Sequence, residues 1–177
     1  MVPTANDTPL TLEAWAMTVD TSSGWQTVLG IHNTWTQIGF LNGYFYAGRN
    51  GGGGNTFLSG ISISANVWYH MVVVMNEGDG NVKFYKNGVL DSTYTTTQFP
   101  NLITRDNNYI GAHRGSMMRY LDGKIKSLNI WERALSATEI SDLYNQGRNY
   151  SVVPQPELTP VYTLTSFQYA NNNTTYM

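Results

Sequence analysis

The stretch "LDGKIKSLNIWERALSATEI" (residues 121–140) changes period halfway along, and its reading decides the fold. Its apolar residues first alternate as in a strand (Ile125, Leu128, Ile130). Ala134, Leu135, Ile140 and, just beyond, Leu143 then fall at helical spacing. Ser136 and Glu139 form a capping box, the run "ATEISDLYNQ" comes next, and Gly147 terminates it. A strand that runs straight into one short helix predicts a β protein whose helix covers an open end or edge of the sheets.

Working outward, most of the chain reads as short strands separated by turn residues. "LTLEAWAMTV" (10–19) alternates, with Leu10, Leu12, Ala14 and Ala16 on one face and Trp15, Met17 and Val19 on the other. "TVLGIH", "TQIGFL" and "GYFYAG" succeed it at hairpin-like intervals. "RNGGGGN" (49–55) reads as a flexible loop, because four glycines offer nothing to pack and lose much entropy on ordering. "VWYHMVVVMN" (67–76) has the near-continuous apolar middle of a central strand buried on both faces. In "VKFYKNGVLDST" (82–93), Asn87-Gly88 between two alternating runs predicts a type I′ hairpin, and "EGDG" (77–80) is the turn before it. Such spacing indicates an antiparallel sandwich or barrel. After the helix, "NYSVVPQPELTP" is a proline-punctuated linker and "VYTLTSFQYA" (161–170) alternates like a further strand. The expected organisation is therefore a sandwich over residues 1–147, a linker over 148–160, and a tail over 161–177.

A chain of 177 residues suits one domain and a tail. Charged residues make up 12%, against roughly 25% in ordinary soluble domains, and Thr, Asn, Ser, Gly and Tyr take their place. That surface suits an extracellular, cell-surface or virion-surface β protein. The net charge of −2, with no basic run, provides no field toward nucleic acid or anionic lipid. The absence of cysteine excludes disulfides, thiol catalysis and thiolate zinc sites. No stretch approaches the roughly 18 apolar residues of a membrane span. "MVPTANDTPL" has neither the basic flank nor the apolar core of a signal peptide.

In order, "LTLEAWAM", "VWYHMVVVMN", "VKFYKNGVLDST", "NYIGAH" and "LDGKIKSLNIWERALSATEISDLYNQG" resemble laminin G-like domains of the concanavalin A-like lectin/glucanase superfamily, over roughly residues 10–147. The resemblance implies an all-β antiparallel jelly-roll sandwich, one sheet of it concave, with a short C-terminal capping helix. Relatives usually carry one or two strands before the one matching "TLEAW", whereas nine residues precede Leu10 here, so 161–170 is expected to fill that vacancy at a sheet edge. Many relatives also hold calcium with an aspartate two residues after the glycine-containing turn, together with backbone carbonyls from near the N-terminus. Lys126 stands at that position, and an ammonium cannot ligate calcium. The metal site of the family is thus expected to be lost, leaving no cofactor, with Lys126 bonding carbonyls instead and Asp122 acting as a turn residue.

Retaining glucanases need two carboxyls roughly 5–5.5 Å apart. The nearest sequence approach, Glu77-Gly78-Asp79, lies in a glycine-flanked turn, and Val82 and Lys83 stand where a further glutamate is needed. His32, His70 and His113 have no partner at metal-ligand spacing, and His70 reads as a structural residue at a strand start. Carbohydrate binding remains, in which an exposed aromatic stacks on a sugar face and polar groups fix the hydroxyls. The candidates are Trp25, Trp35, Tyr44, Tyr46, Arg49, Asn50, His113, Arg114 and Tyr120, each weighed against an ordinary packing role. Trp15, Trp68 and Trp131, inside apolar strands, read as core. The sequence thus points to a non-enzymatic surface module that binds a glycan, or alternatively a protein. In the alternative it is a structural or decoration subunit forming homo-oligomers or larger assemblies through residues 154–177 and its sheet edges.

Overall fold

The computed structural model describes residues 9–31, 36–48, 56–76, 78, 80–96, 108–113 and 119–148; the predicted linker and tail strand lie outside them. Strands β1 (Leu10–Thr18), β6 (Tyr69–Asn76), β7 (Asn81–Lys86), β8 (Val89–Thr95) and β10 (Gly123–Trp131) form one antiparallel sheet, sheet A, in the order β10-β1-β6-β7-β8. Strands β5 (Thr56–Ser62), β4 (Tyr44–Gly48), β3 (Thr36–Leu41), β2 (Trp25–Ile31) and β9 (Tyr109–Ile110) form sheet B in that order. Helix α1 spans Ala137–Arg148. The sheets face each other across one core, to which β1 gives Leu10, Leu12, Ala14 and Ala16, the face expected from its alternation. Opposite them, sheet B supplies Val28, Leu29, Ile38, Phe40, Phe45 and Ala47.

The Asn87-Gly88 turn forms as predicted, with φ of 53° and 79°. A second turn of the same chemistry, Asn42-Gly43 (φ 48° and 80°), joins β3 to β4. A register shift between Trp15 and Ala16, whose partners in β10 are Ser127 and Ile125, marks a bulge at Lys126. It explains why the apolar positions of β10 step from Ile125 to Leu128 before resuming alternation.

Three expectations need correction. The helix does not close an end of the sandwich. It lies on the outer face of sheet A, where Leu135, Ile140 and Leu143 pack with Val72, Val74, Tyr85 and Trp131 in a second core. This is why β6 is apolar on both faces, with Met71 and Val73 toward sheet B and Val72 and Val74 toward the helix. Gly147 does not terminate α1, which continues through Arg148. A Cβ on Gly147 would fall 2.3 Å from Trp15 Nε1, so glycine is required for the close approach of helix and sheet. Trp15 and Trp131 are buried as expected, but Trp68 precedes β6 and is 38% exposed.

The capping box forms as read from the sequence. Ser136 N donates to Glu139 Oε2 at 2.8 Å, and Glu139 N donates to Ser136 Oγ at 3.3 Å. Arg133 Nη2 also donates to Glu139 Oε1 at 2.6 Å. The Arg133 bond, aided by the Ser136 amide, holds the Glu139 carboxyl at about 2, well below the usual carboxylate range. A carboxyl with a lowered folded-state pKa contributes stability above its unfolded pKa and loses it as pH falls toward the folded value. Both side chains are about a third exposed or more. Glu139→Gln is therefore expected to cost no more than about 1 kcal/mol at pH 7. Urea unfolding of the two proteins should converge between roughly pH 4 and pH 2.

Candidate functional site

With one face of sheet A against sheet B and the other under α1, the outer face of sheet B and its rim are what the described residues leave for a ligand. The middle of that face is already filled. Tyr46 alternates with core-facing Phe45, so it points outward, yet it is fully buried. Its hydroxyl meets Thr27 Oγ1 at 3.0 Å and donates to Gln37 Oε1 at 3.4 Å. Its ring lies against Gly39, where an added Cβ would sit 2.9 Å from Tyr46 Cε1. Tyr46 is thus a packing residue with no ring face open to a sugar.

The rim is different. Trp25, Leu41 and Tyr44 are cross-strand neighbours on β2, β3 and β4, at the end where the Asn42-Gly43 turn lies. Tyr44 is 38% exposed and Trp25 half-buried, its ring edge-on to Tyr46 at 4.8 Å. The Arg119 guanidinium lies 4.4 Å above the Trp25 ring, a cation–π contact that fixes an otherwise flexible side chain. Arg119 has φ 60°, uncommon for a side-chain-bearing residue, and Thr27 N donates to its carbonyl. Tyr120, next in sequence, is 36% exposed. Asp20 borders this end: its carboxylate accepts from the amide and hydroxyl of Ser22, which hold its pKa below the ordinary value.

A buried glutamine fastens the rim from within. Gln26 Nε2 donates to the Asp20 carbonyl and to Ser23 Oγ, while its Oε1 accepts from Thr18 Oγ1 and the Asp122 amide. One side chain thereby ties the end of β1, the β1–β2 connection and the approach to β10.

Of the predicted candidates, the structure brings Trp25 and Tyr44 to this one rim, and exposed Tyr120 follows Arg119 in the chain. His113 is buried beside Gly30 and presents no surface. Trp35, Arg49, Asn50 and Arg114 lie outside the described residues, as do His32, Glu77 and Asp79. Gln26 is not among the candidates, whereas the two arginines and the tyrosine of 113–120 suit an acidic sugar by sequence alone. Arg119 lies in the same "HRGSMMRY" stretch as Arg114, but nothing local announces its backbone conformation.

The chemistry of the rim is that of a stacking platform with polar groups around it. Strands β2, β3, β4, β5 and β9 contain no Asp or Glu, so the described strands of sheet B bring no carboxylate pair to this face. The buried Glu13–His70 pair, 3.1 Å apart, lies on the opposite layer under α1. Lys126 Nζ donates to the Gly147 carbonyl at 3.1 Å and sits 5.4 Å over the Trp15 ring, thus engaging the helix C-terminus. An ammonium so placed repels a divalent cation. Asp122 serves through its backbone: its carbonyl accepts from Val19 N at 2.8 Å.

Tyr46 offers a direct check on how tightly the face is packed. Burial pushes its phenol up to about 12, against the lowering effects of Thr27 and Arg119. The neutral phenol's contribution to stability is complete below roughly pH 10 and disappears as pH rises through the folded value. A spectrophotometric tyrosine titration should show a final ionisation near pH 12 that is missing in Tyr46→Phe. Complete ionisation of the native protein by about pH 10.5 would contradict this placement.

Structural comparison finds the same fold in several solved structures. The binding domain of botulinum neurotoxin serotype G superposes with a TM-score of 0.61 at 18% identity, over 81% of this chain and 37% of that one. A heptameric SAP-like pentraxin from Limulus polyphemus gives 0.60 at 17% identity, over 81% and 77%. A Bacteroides ovatus protein described as carbohydrate-binding gives 0.59 at 18%, over 80% and 42%. The chain spans well under half of the toxin and Bacteroides chains, and at these identities the likeness is one of fold. No curated protein matches in sequence. The sequence profile of the concanavalin A-like lectin/glucanases superfamily, in its laminin G form, matches residues 2–141. That match runs from before β1 into α1 and coincides with the paired five-stranded sheets, so the chain belongs to this superfamily.

Proposed function

We propose that the protein is a non-enzymatic, lectin-like module that binds carbohydrate outside the cell or at a surface, at the rim formed by Trp25, Tyr44 and Arg119, with Tyr120 next in the chain. The observation that carries this reading is the Arg119–Trp25 cation–π pair, on the same sheet end as the exposed Tyr44. Aromatic faces suit the apolar face of a pyranose, and the guanidinium and neighbouring serines suit its hydroxyls. The binding domains among the structural neighbours support a binding role rather than a catalytic one. Trp35, Arg49, Asn50 and Arg114 remain candidates for a more extended site. The alternative of a structural subunit rests on residues 154–177, outside the described residues.

The test is a glycan array probed with the full chain, followed by titration of any hit. Trp25→Ala or Tyr44→Ala is expected to weaken binding about tenfold, or about 1.4 kcal/mol. Circular dichroism should show the fold intact, and Val89→Ser, at a distant turn, should bind normally. Trp35→Ala reports on the extended site. Failure of every glycan, or a hit indifferent to both Trp25→Ala and Tyr44→Ala, would remove the rim from consideration.

A further inference from the structure

The Arg119 guanidinium is held in place yet left without a counter-charge. It lies 4.4 Å above the Trp25 ring, and among the described residues no carboxylate pairs with it and it makes no hydrogen bond. Several other cations are occupied. Arg133 donates to Glu139, Lys86 Nζ to the Ser62 carbonyl, and Lys126 Nζ to the Gly147 carbonyl. Asp20, which borders the rim, has its carboxylate engaged by the amide and hydroxyl of Ser22. The described strands of sheet B supply no Asp or Glu that would neutralise Arg119.

A guanidinium left in this state suits one kind of group above others. Its planar, permanently charged fork matches a carboxylate through two parallel N–H···O bonds, each about twice as strong as a bond between neutral groups. The hydroxyl of a neutral sugar offers neither the charge nor the second oxygen. The seat of the cation is also fixed. Arg119 has φ 60°, and Thr27 N donates to its carbonyl at 2.9 Å, so the backbone is tied to β2 beside the indole. With Arg119 over it, that face of Trp25 is closed to a sugar, and the indole serves to position the cation. Trp25 and Tyr44 lie in register through Leu41, two strand spacings or about 10 Å apart. One sugar can meet Arg119 while the next lies against the exposed Tyr44 ring.

We infer that the ligand of this rim is an acidic glycan: Arg119 takes the carboxylate of a uronic or sialic acid residue, and Tyr44 packs against the adjoining sugar. The inference rests on the glycan-binding reading of the rim and narrows it, because Arg119 then sets specificity. The test titrates the full chain with glucuronate-, galacturonate- and sialate-bearing oligosaccharides, each beside the same oligosaccharide with its carboxyl reduced to an alcohol. At least one acidic member should bind roughly tenfold or more tightly than its reduced partner, a preference that shrinks as salt is added. Arg119→Gln should bring the ratio close to one, and Arg119→Lys should keep part of it, since the charge survives and the fork does not. Tyr44→Ala should weaken both members of a pair and preserve the ratio. Equal binding of acidic and reduced forms, binding confined to sulfated glycans, or a preference unchanged by Arg119→Gln would overturn the inference while leaving the rim as a glycan site. Binding of no glycan, or a hit indifferent to both Trp25→Ala and Tyr44→Ala, would remove the rim and the inference with it.

Discussion

A carboxylate only 3% exposed must find partners for its charge and lone pairs, and the arrangement of sheet A depends on how Glu13 finds them. Glu13 lies at the centre of β1. His70 Nε2, from β6, meets its Oε1 at 3.1 Å. Asn129 Nδ2 and Trp131 Nε1, both from β10, donate to its Oε2 at 3.1 and 3.4 Å. Three strands thus converge on one side chain. Since side chains alternate faces along a strand, slipping β1 by one residue would turn Glu13 into the apolar space between the sheets. The network therefore favours the observed register, with Glu13 opposite Asn129 and Val72. Trp15 and Tyr144, flanking the His70 ring at 5.3 and 5.8 Å, close it off beneath α1.

Covering Glu13 commits the outer face of sheet A to the helix, and this determines where binding can occur. Among the described residues no element covers the outer face of sheet B, but Tyr46 on Gly39, with Thr27 and Gln37 as partners, fills its middle with a hydrogen-bonded aromatic layer. A ligand would have to displace that layer to reach the floor, leaving buried hydroxyl and amide groups without partners. The rim imposes no such cost, because Tyr44 is already in water and Arg119 is already held by Trp25.

The sequence made the layered architecture legible because its signals were local. The change of period at Trp131, the Ser136–Glu139 box, the alternation of β1 and Asn87-Gly88 all depend on residues a few positions apart. Asn42-Gly43 carries the same signal as Asn87-Gly88, but here it sits in "FLNGYF", between runs marked only by hairpin-like spacing. Distant contacts set the features that could not be read. "ATEISDLYNQG" shows an apolar stripe but not the surface it will meet. Gly147 resembles a helix stop until Trp15 is brought beneath it from far along the chain. Trp68 and Tyr46 exchange their expected environments for a related reason. Apolar neighbours suggested burial for Trp68, but β6 begins one residue later; Tyr46 is sealed by Trp25, Thr27 and Gln37 from other strands.

The placement of the rim also bears on how such a site would work. Trp25 opens β2 and Tyr44 opens β4, with the Asn42-Gly43 turn immediately before Tyr44. Two-residue turns of this type leave the chain little freedom, and the Gln26 clip removes more from the β1–β2 connection. Aromatic groups mounted on such elements are already ordered before a ligand arrives, so less conformational entropy is lost on binding. The Arg119–Trp25 contact has the same effect on a side chain that would otherwise sample many rotamers. The left-handed backbone of Arg119 is held by the Thr27 amide, so β2 both carries the indole and fixes the residue that stacks on it. A weak surface contact becomes a preorganised one because a single strand supplies both halves of its support.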